Sequence, residues 1–192
     1  NFGDNRAIDS LTTIAFENIP RSKFFKSQIH SFLIRCKTTK LDCYTTKSSW
    51  AGAIGYGQFI PTSIDAYAVD YNKNGVIDLI NEKSDAIASI ANYLKKNGWN
   101  KNGVIVKEIS VHGEGYEKYL STGLSLNTSI NKLVKNKIIK TNEKDQKIKL
   151  FKINANKEND KIFIGYKNFK VITSYNRSNL YALAVNELAR SL

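Results

Sequence analysis

Methionine is absent from the 192 residues, from which we expect that Asn1 is not a translation start and that the chain continues upstream. Targeting and anchoring signals at such a start are therefore not legible. Also missing is any apolar run approaching the ~20 residues of a membrane span, so the residues present are expected to be soluble. Acids are scarce: 17 Asp and Glu stand against 29 Lys and Arg, a formal charge of +12. Such an excess steers a protein toward polyanions, and nucleic acid, anionic lipid and an acidic cell-wall polymer all qualify. Much of it is lysine interleaved with asparagine, a texture that a Lys- and Asn-rich proteome produces on any solvated surface. Cysteine is limited to Cys36 and Cys43, seven apart. In an exported protein these would pair and in a reducing compartment they would stay buried thiols; both remain open, and no CxxC or Cys/His spacing argues for zinc. The two histidines, His30 among Lys and Ser and His112 in "VHGEG", have no third partner for a nucleophilic triad and read as structural or solvated.

What is present is ample for a core, with 42% hydrophobic and 11% aromatic residues. Apolar residues recur at helical spacing from Asp4 to Phe16 (Ile8, Leu11, Ala15) and from Ser22 to Lys37 (Phe25, Ile29, Phe32, Leu33, Cys36), the two stretches being separated at Pro20. A third helix carries Ile87, Ile90, Ala91 and Leu94 as one stripe, with Asp85 as N-cap and Gly98 as stop. A fourth runs from Ser178 to Arg190 with Leu180, Ala184, Val185 and Leu188 on one face. Between Lys101 and Thr173 the runs "VIVKEI", "KIKLFKI", "KIFIG" and "FKVITS" alternate and predict strands, while "NKLVKNKIIKTNEKDQK" is polar and predicted to be partly mobile. The expected fold class is α+β, a helical core interrupted by a small, mostly β lobe. The expected division is residues 1–100, 101–172, and a final helix at 173–192 that returns to the core.

The stretch "SSWAGAIGYGQFIPTS", Ser48 to Ser63, is unusual. Gly52, Gly55 and Gly57 give GxxGxG, neither the dinucleotide fingerprint nor a P-loop with its Lys-Ser/Thr ending, and no strand precedes them. Small residues also let helices approach closely. That alone does not account for Gln58, a bidentate amide between Tyr56 and Phe59. Sugars present the matching needs, C–H patches for aromatic faces and polar edges for an amide, so a saccharide groove is the chemical expectation.

These residues also carry a resemblance. "KSSWAGAIGYGQFIPTSIDAYAVDYNKNGVIDL", Lys47 to Leu79, and "DAIASIANYLKKNGW", Asp85 to Trp99, resemble the signature of the lytic murein transglycosylase B family, bacterial cell-wall enzymes with a goose-lysozyme-like core. "GDNRAIDSLTTIAF", "PRSKFF" and "NFKVITSYNRSNLYALAV" extend the resemblance upstream and to Val185; the region near Gly103 to Tyr166 carries no recognisable motif. The resemblance implies a mainly helical lysozyme-like core and cleavage of the bond between N-acetylmuramic acid (MurNAc) and N-acetylglucosamine (GlcNAc) without water. One Glu protonates the leaving oxygen and then, as base, helps the muramic acid 6-hydroxyl close a 1,6-anhydro ring, so no second carboxylate is needed. That Glu is expected upstream of Asn1, so this chain contains no catalytic residue of its own. Glu17, at a helix end where the family has no acid, reads as a solvated carboxylate. A chain that truly lacked the Glu would instead be a non-catalytic peptidoglycan-binding module. Charge alone argues for nucleic-acid binding, which is not expected.

By the same resemblance Ser49 and Gln58 contact the saccharide, with Tyr56 beside them. Tyr93 of "IANYL" faces the cleft, although its spacing equally suits an ordinary half-buried tyrosine. Tyr175, Asn176 and Tyr181 of "SYNRSNLY" close the groove around the acid. Arg21 of "PRS" meets an anionic stem peptide or lactyl group; relatives often carry a second Arg where Ser22 stands here. The implied partners are peptidoglycan glycan strands, with cell-wall assembly proteins left open. The implied setting is the bacterial periplasm, with outer-membrane anchoring through an upstream segment also left open.

"DYNKNGVIDLINEKSD" sets Asp70, Asn72 and Asn74 at positions 1, 3 and 5 of an EF-hand loop, then Gly75 at 6 and a carbonyl at Val76. Position 12 is Asn81 rather than Glu. Family members can use a longer loop whose last ligand opens the next helix, here Asp85. The expectation is no required cofactor and either a weak structural calcium ion on Asp70, Asn72, Asn74, Val76 and Asp85 or an Asn/Gly turn that needs no ion.

Overall fold

Apolar residues spaced three and four apart fold the N-terminal half into helices that bury one stripe each. In a computed structural model of the protein, residues 3–17, 20–39, 41–112, 114–154 and 160–192 are described, and the chain forms two compact units, Asn1–Lys96 and Asn97–Leu192. The fold is α+β. In the first unit a two-stranded antiparallel ladder joins β1 (Asn5–Arg6) to β2 (Lys47–Ser48) beside α1 (Ala7–Phe16), α2 (Ser22–Thr38), α3 (Pro61–Tyr67) and α4 (Lys83–Lys96). Each of these helices packs on the next in sequence. Leu11, Ile14 and Ala15 of α1 and Phe25 and Phe32 of α2 are buried, whereas Leu33 is exposed.

Polar residues that a hydrophobic reading passes over are buried with them. α3 has Ile60 as N-cap, which carries no oxygen to receive its first N–H groups. The fully buried Gln28 of α2 does so instead: its Oε1 accepts from the Thr62 N–H at 3.0 Å and from the Thr62 hydroxyl at 2.9 Å. One turn on, Ser31 donates to Asp65, and Arg35 Nη2 reaches the same carboxylate at 2.7 Å.

The same cause turns α4 around. Its expected stripe is not the buried one, because Ile87 is 67% exposed and Ala91 is exposed, while Asp85, Ala86 and Ser89 are buried. The segment before α4 has backbone groups to satisfy, and the helix meets them with its polar side. Ser89 Oγ accepts from Val69 N–H at 3.0 Å and Asn92 Nδ2 donates to Tyr67 O at 2.8 Å. Asp85 is not the N-cap; α4 starts two residues earlier, at Lys83.

The second unit holds an antiparallel sheet ordered β3 (Val106–Ile109), β6 (Asp160–Gly165), β5 (Lys147–Asn154), β4 (Thr128–Ser129). Period-2 alternation sends Ile148, Leu150, Ile162 and Ile164 to one face, where Ile130, Leu133, Ile138 and Ile139 cover them. The segment read as polar and mobile thus contains α5 (Ile130–Lys135), and Leu133 and Ile138 in it are 0% and 2% exposed. The opposite face, with Phe151 and Phe163, is covered by Phe169, Ile172 and Ala182. These belong to α6 (Lys167–Tyr175) and α7 (Asn179–Ser191). "FKVITS" is therefore helix, not strand: Phe169 and Ile172, three apart, meet the sheet together, which outweighs the β-propensity of Val171 and Thr173.

The final helix packs on α6 within this second unit. Its Leu180 and Leu188 stand 62% and 65% exposed, and Ala182 and Asn186 are buried in their place.

Cys36 and Cys43 are disulfide-bonded across a Cα–Cα distance of 5.6 Å. A loop this short stabilises by about 2.5 kcal/mol in chain-entropy terms. Reduction is expected to lower the melting temperature of the first unit by about 10–20 °C, read by calorimetry with and without reductant; an unchanged transition would refute it.

Because the sheet is covered on both faces, Lys149 of β5 is interior, at 1% exposure. Burial pulls its pKa from 10.5 down to about 8. Between those values the unfolded chain binds more protons than the folded one, so stability rises with pH through that window; below pH 8 the full cost of the buried charge remains. Relative to Lys149→Met, the wild-type protein should gain about 3 kcal/mol from pH 8 to pH 10.5 in urea unfolding, and a flat difference would disprove the burial of the charge.

Candidate functional site

Three sugar-binding candidates of the first unit, Ser49, Tyr56 and Gln58, lie on one loop. Ser49 follows β2 and closes a tight turn: its N–H donates to Ala53 O at 2.9 Å, its carbonyl accepts from Gly52 N–H at 2.9 Å, and its Oγ accepts from Ala53 N–H at 3.2 Å. The chain then pairs Ile54 with Phe59 and turns through Gly55, Tyr56, Gly57 and Gln58. Ile54 and Phe59 are buried, which fixes the base of the turn and leaves Tyr56 and Gln58 exposed at its tip.

Gln58 has φ +48°, a left-handed conformation uncommon for a residue with a side chain. Its N–H and its Nε2 both donate to Gly55 O, at 3.1 and 3.0 Å. Glycine would suit this backbone better, so a glutamine held here suggests a use for its amide.

The glycines answer to packing within the protein. A Cβ on Gly52 would come within 2.3 Å of Leu11 Cδ2, and one on Gly55 within 2.2 Å of Leu79 O. Those two faces point at α1 and at the segment before α4, so closeness to neighbouring chain accounts for them without a ligand.

Tyr93 of α4 is joined to this loop through aromatic contacts. Its ring centroid lies 6.1 Å from Phe59 and 4.6 Å from Tyr67, and Lys96 Nζ stands 5.8 Å from the Tyr67 ring. Burial first, and the neighbouring Tyr67 second, raise the Tyr93 pKa, so its phenol stays protonated and able to donate a hydrogen bond. Tyr67 is the participant that sequence reasoning missed; its place in "SIDAY", at the end of α3, was the available signal.

Arg21 is exposed at the start of α2, its guanidinium 4.4 Å from the Phe24 ring centroid, an arrangement that keeps the cation on the surface. A cavity of about 430 Å³ lined by Arg35, Lys47, Ile54, Ile64 and Leu79 does not include Ser49, Tyr56 or Gln58.

In the second unit Tyr175, Asn176 and Tyr181 share the turn between α6 and α7. Asn176 N–H donates to Ile172 O at 3.1 Å and Asn176 O accepts from Ser178 N–H at 2.7 Å. Ser178 Oγ caps α7 by accepting from Tyr181 N–H at 3.2 Å. The Tyr181 ring packs beside Phe151, Phe169 and Ala182, and burial raises its pKa.

The calcium-type loop is a chain of side-chain oxygens accepting backbone N–H groups. Asp70 accepts from Asn74 at 3.2 Å and Gly75 at 2.8 Å, Asn72 from Asn74 at 3.0 Å, and Asn74 from Val76 at 2.8 Å. Lys73 and Gly75 take positive φ, 60° and 86°, to make the bends. The fully buried Asp85 carboxylate spans the loop, accepting from Tyr71 N–H at 2.9 Å and Asp78 N–H at 3.0 Å. Asp78, which sequence reasoning did not weigh, accepts from the N–H groups of Ile80 and Asn81 and from Asn81 Nδ2. Burial would raise its pKa, and these bonds together outweigh that and leave it below the ordinary value. Among the described residues no three His, Cys, Asp or Glu side chains gather as a metal cluster. An all-oxygen set with spare lone pairs on Asp70, Asn72 and Asn74 nevertheless suits a hard divalent cation.

With this geometry in view, the comparisons are specific. The transglycosylase SLT domain matches residues 1–190. Membrane-bound lytic murein transglycosylase B of Escherichia coli (strain K12) is 33% identical over 192 residues, covering 99% of this chain and 52% of the relative. The crystal structure of the soluble lytic transglycosylase SltB1 of Pseudomonas aeruginosa superposes with a TM-score of 0.91 at 35% identity, over 98% of this chain and 63% of that one. A lytic transglycosylase of Escherichia coli in complex with calcium gives a TM-score of 0.87 at 32% identity, over 98% and 59%. The chain thus spans about half the length of the curated relative that it matches. With the match running from residue 1 to residue 190, the chain belongs to the transglycosylase SLT domain family.

Proposed function

We propose that the protein is a peptidoglycan lytic transglycosylase, which cleaves the MurNAc–GlcNAc β-1,4 bond without water and leaves 1,6-anhydro-MurNAc ends during cell-wall remodelling. The observation that carries this is Gln58, an amide held at positive φ on a tight turn beside Tyr56, in a chain that the family matches throughout. Gln58 and Ser49 hydrogen-bond the sugar's polar edges, and Tyr56 and Tyr93 supply flat faces for its C–H patches. In the second unit, Tyr175, Asn176 and Tyr181 offer phenols and an amide suited to a sugar, and in the first unit Arg21 meets a carboxylate of the stem peptide or lactyl group.

The general acid is a glutamate upstream of Asn1. It protonates the glycosidic oxygen as that bond to C1 breaks. Its carboxylate then takes the proton of the 6-hydroxyl as O6 bonds to C1, so atoms and charge balance without water. The bacterial periplasm suits both this substrate and the Cys36–Cys43 disulfide, which persists in an oxidising compartment. No described helix is long and apolar enough to cross a membrane.

The test is digestion of purified murein sacculi by the longer protein that includes the upstream Glu, with products read by mass spectrometry. Anhydromuropeptides are expected. Products ending in reducing muramic acid would refute the mechanism, and no products would favour a binding module. Gln58→Gly, which suits the local backbone, should keep or raise the melting temperature while weakening glycan binding about tenfold, the worth of one good hydrogen bond; wild-type affinity would remove Gln58 from the site.

We further propose that Asp70, Asn72, Asn74, the Val76 carbonyl and Asp85 hold a structural calcium ion, which would stiffen the loop without entering the reaction. At a concentration about 100 times its dissociation constant, calcium should add about 2.7 kcal/mol, or about 5–10 °C in melting temperature. A titration with neither heat nor a thermal shift ends the proposal.

A further inference from the structure

Lys149 sits in the middle of β5 at 1% exposure, opposite Gly165 of β6, where the Phe169 ring fills the space a side chain would take. Its ammonium donates to Asn179 Oδ1 at 2.7 Å and stands 5.2 and 5.9 Å from the ring centroids of Phe151 and Phe169. Among the described residues it has no ion-pair partner, and Asn179 is its single hydrogen-bond acceptor. A buried charge held by one neutral amide and two aromatic faces is a poor way to fill a core. An apolar chain of the same length would be more stable there, because the ammonium has given up its hydration shell for one bond.

The directional bond that results ends on one particular place, the first residue of α7. Asn179 follows directly on the turn in which Asn176 O accepts from Ser178 N–H and Ser178 caps the helix through Tyr181 N–H. The tie from β5 therefore adds a long-range side-chain bond to a turn that local hydrogen bonds and the apolar packing of its flanking helices also hold. The local bonds set the shape of the turn, the apolar contacts of Phe169, Ile172 and Ala182 seat its helices on the sheet, and the Lys149 bond fixes the first residue of α7 by a directional contact.

We propose that Lys149 is a positioning residue for glycan recognition: by holding Asn179 it fixes the turn that presents Tyr175, Asn176 and Tyr181 to the sugar. It rests on the glycan-binding reading above. Lys149 touches no substrate and takes part in no proton transfer.

The probe is purified murein glycan strands, with affinity measured by calorimetry and stability by urea unfolding, both at pH 7. Lys149→Met should weaken binding about tenfold while the unfolding midpoint stays the same or rises, a divergence that a merely structural role cannot give. Asn179→Ala should weaken binding by a similar factor, and the double variant by no more than either alone. Wild-type affinity in Lys149→Met, a loss of affinity matched by a loss of stability, or additive losses in the double variant would each overturn the proposal. Where Lys149→Met does not fold, Asn179→Ala decides, and wild-type affinity there overturns it. A wild-type protein that binds no glycan is the separate result that defeats the glycan reading itself; the Lys149 proposal then falls with it.

Discussion

The buried carboxylate of Asp85 holds the loop from Asp70 to Asn81 in place from behind. It receives the N–H groups of Tyr71 and Asp78, and hydrogen bonds to a charged group are worth about 1.5–3 kcal/mol each. Fastened in this way, the segment from Asp70 to Asn81 offers Leu79 O to Tyr56 N–H at 2.9 Å. Gly55 lies against the same carbonyl, too close for a side chain. The turn bearing Tyr56 and Gln58 therefore rests on a loop that the Asp85 carboxylate fastens from α4.

This dependence also relates the calcium-type loop to the glycan-binding candidates. They are separated in sequence by α3 and joined by the Tyr56–Leu79 bond. Stiffening the one limits the motion of the other. The loop's side-chain oxygens are already ordered by its own backbone N–H groups.

A second theme is the use of buried polar side chains as substitutes for missing backbone partners. Gln28 replaces a cap that Ile60 cannot provide, and Ser89 and Asn92 serve the segment before α4. In the second unit Asn168 takes the N–H of Asn100 and donates to the carbonyls of Asn100 and Gly103. These residues are invisible to hydrophobic periodicity, which treats a polar residue as an outward one. The exposed Ile87, Leu180 and Leu188 have the converse origin: their spacing was helical and their faces were assigned from hydrophobicity alone.

Local chemistry was therefore legible in the residues themselves: the helices around Leu11, Phe32 and Ala86, the strands "KIKLFKI" and "KIFIG", and the quoted motifs that mark the family. The turn at Gly55–Gln58 was legible as a place of unusual demand, because glycines around a single glutamine have no ordinary helical or strand reading. Tertiary structure alone decided which face of α4 and α7 turns inward and that "FKVITS" is helical. It also decided that Asp85 fastens a loop rather than capping a helix and that Lys149 lies inside a sheet covered on both sides. The reason is physical: propensity and periodicity act between residues three or four apart, whereas the partner of a buried N–H, carboxylate or ammonium is supplied by whatever the fold brings alongside, here from 14 residues away for Tyr71 and Asp85 and from 30 for Lys149 and Asn179.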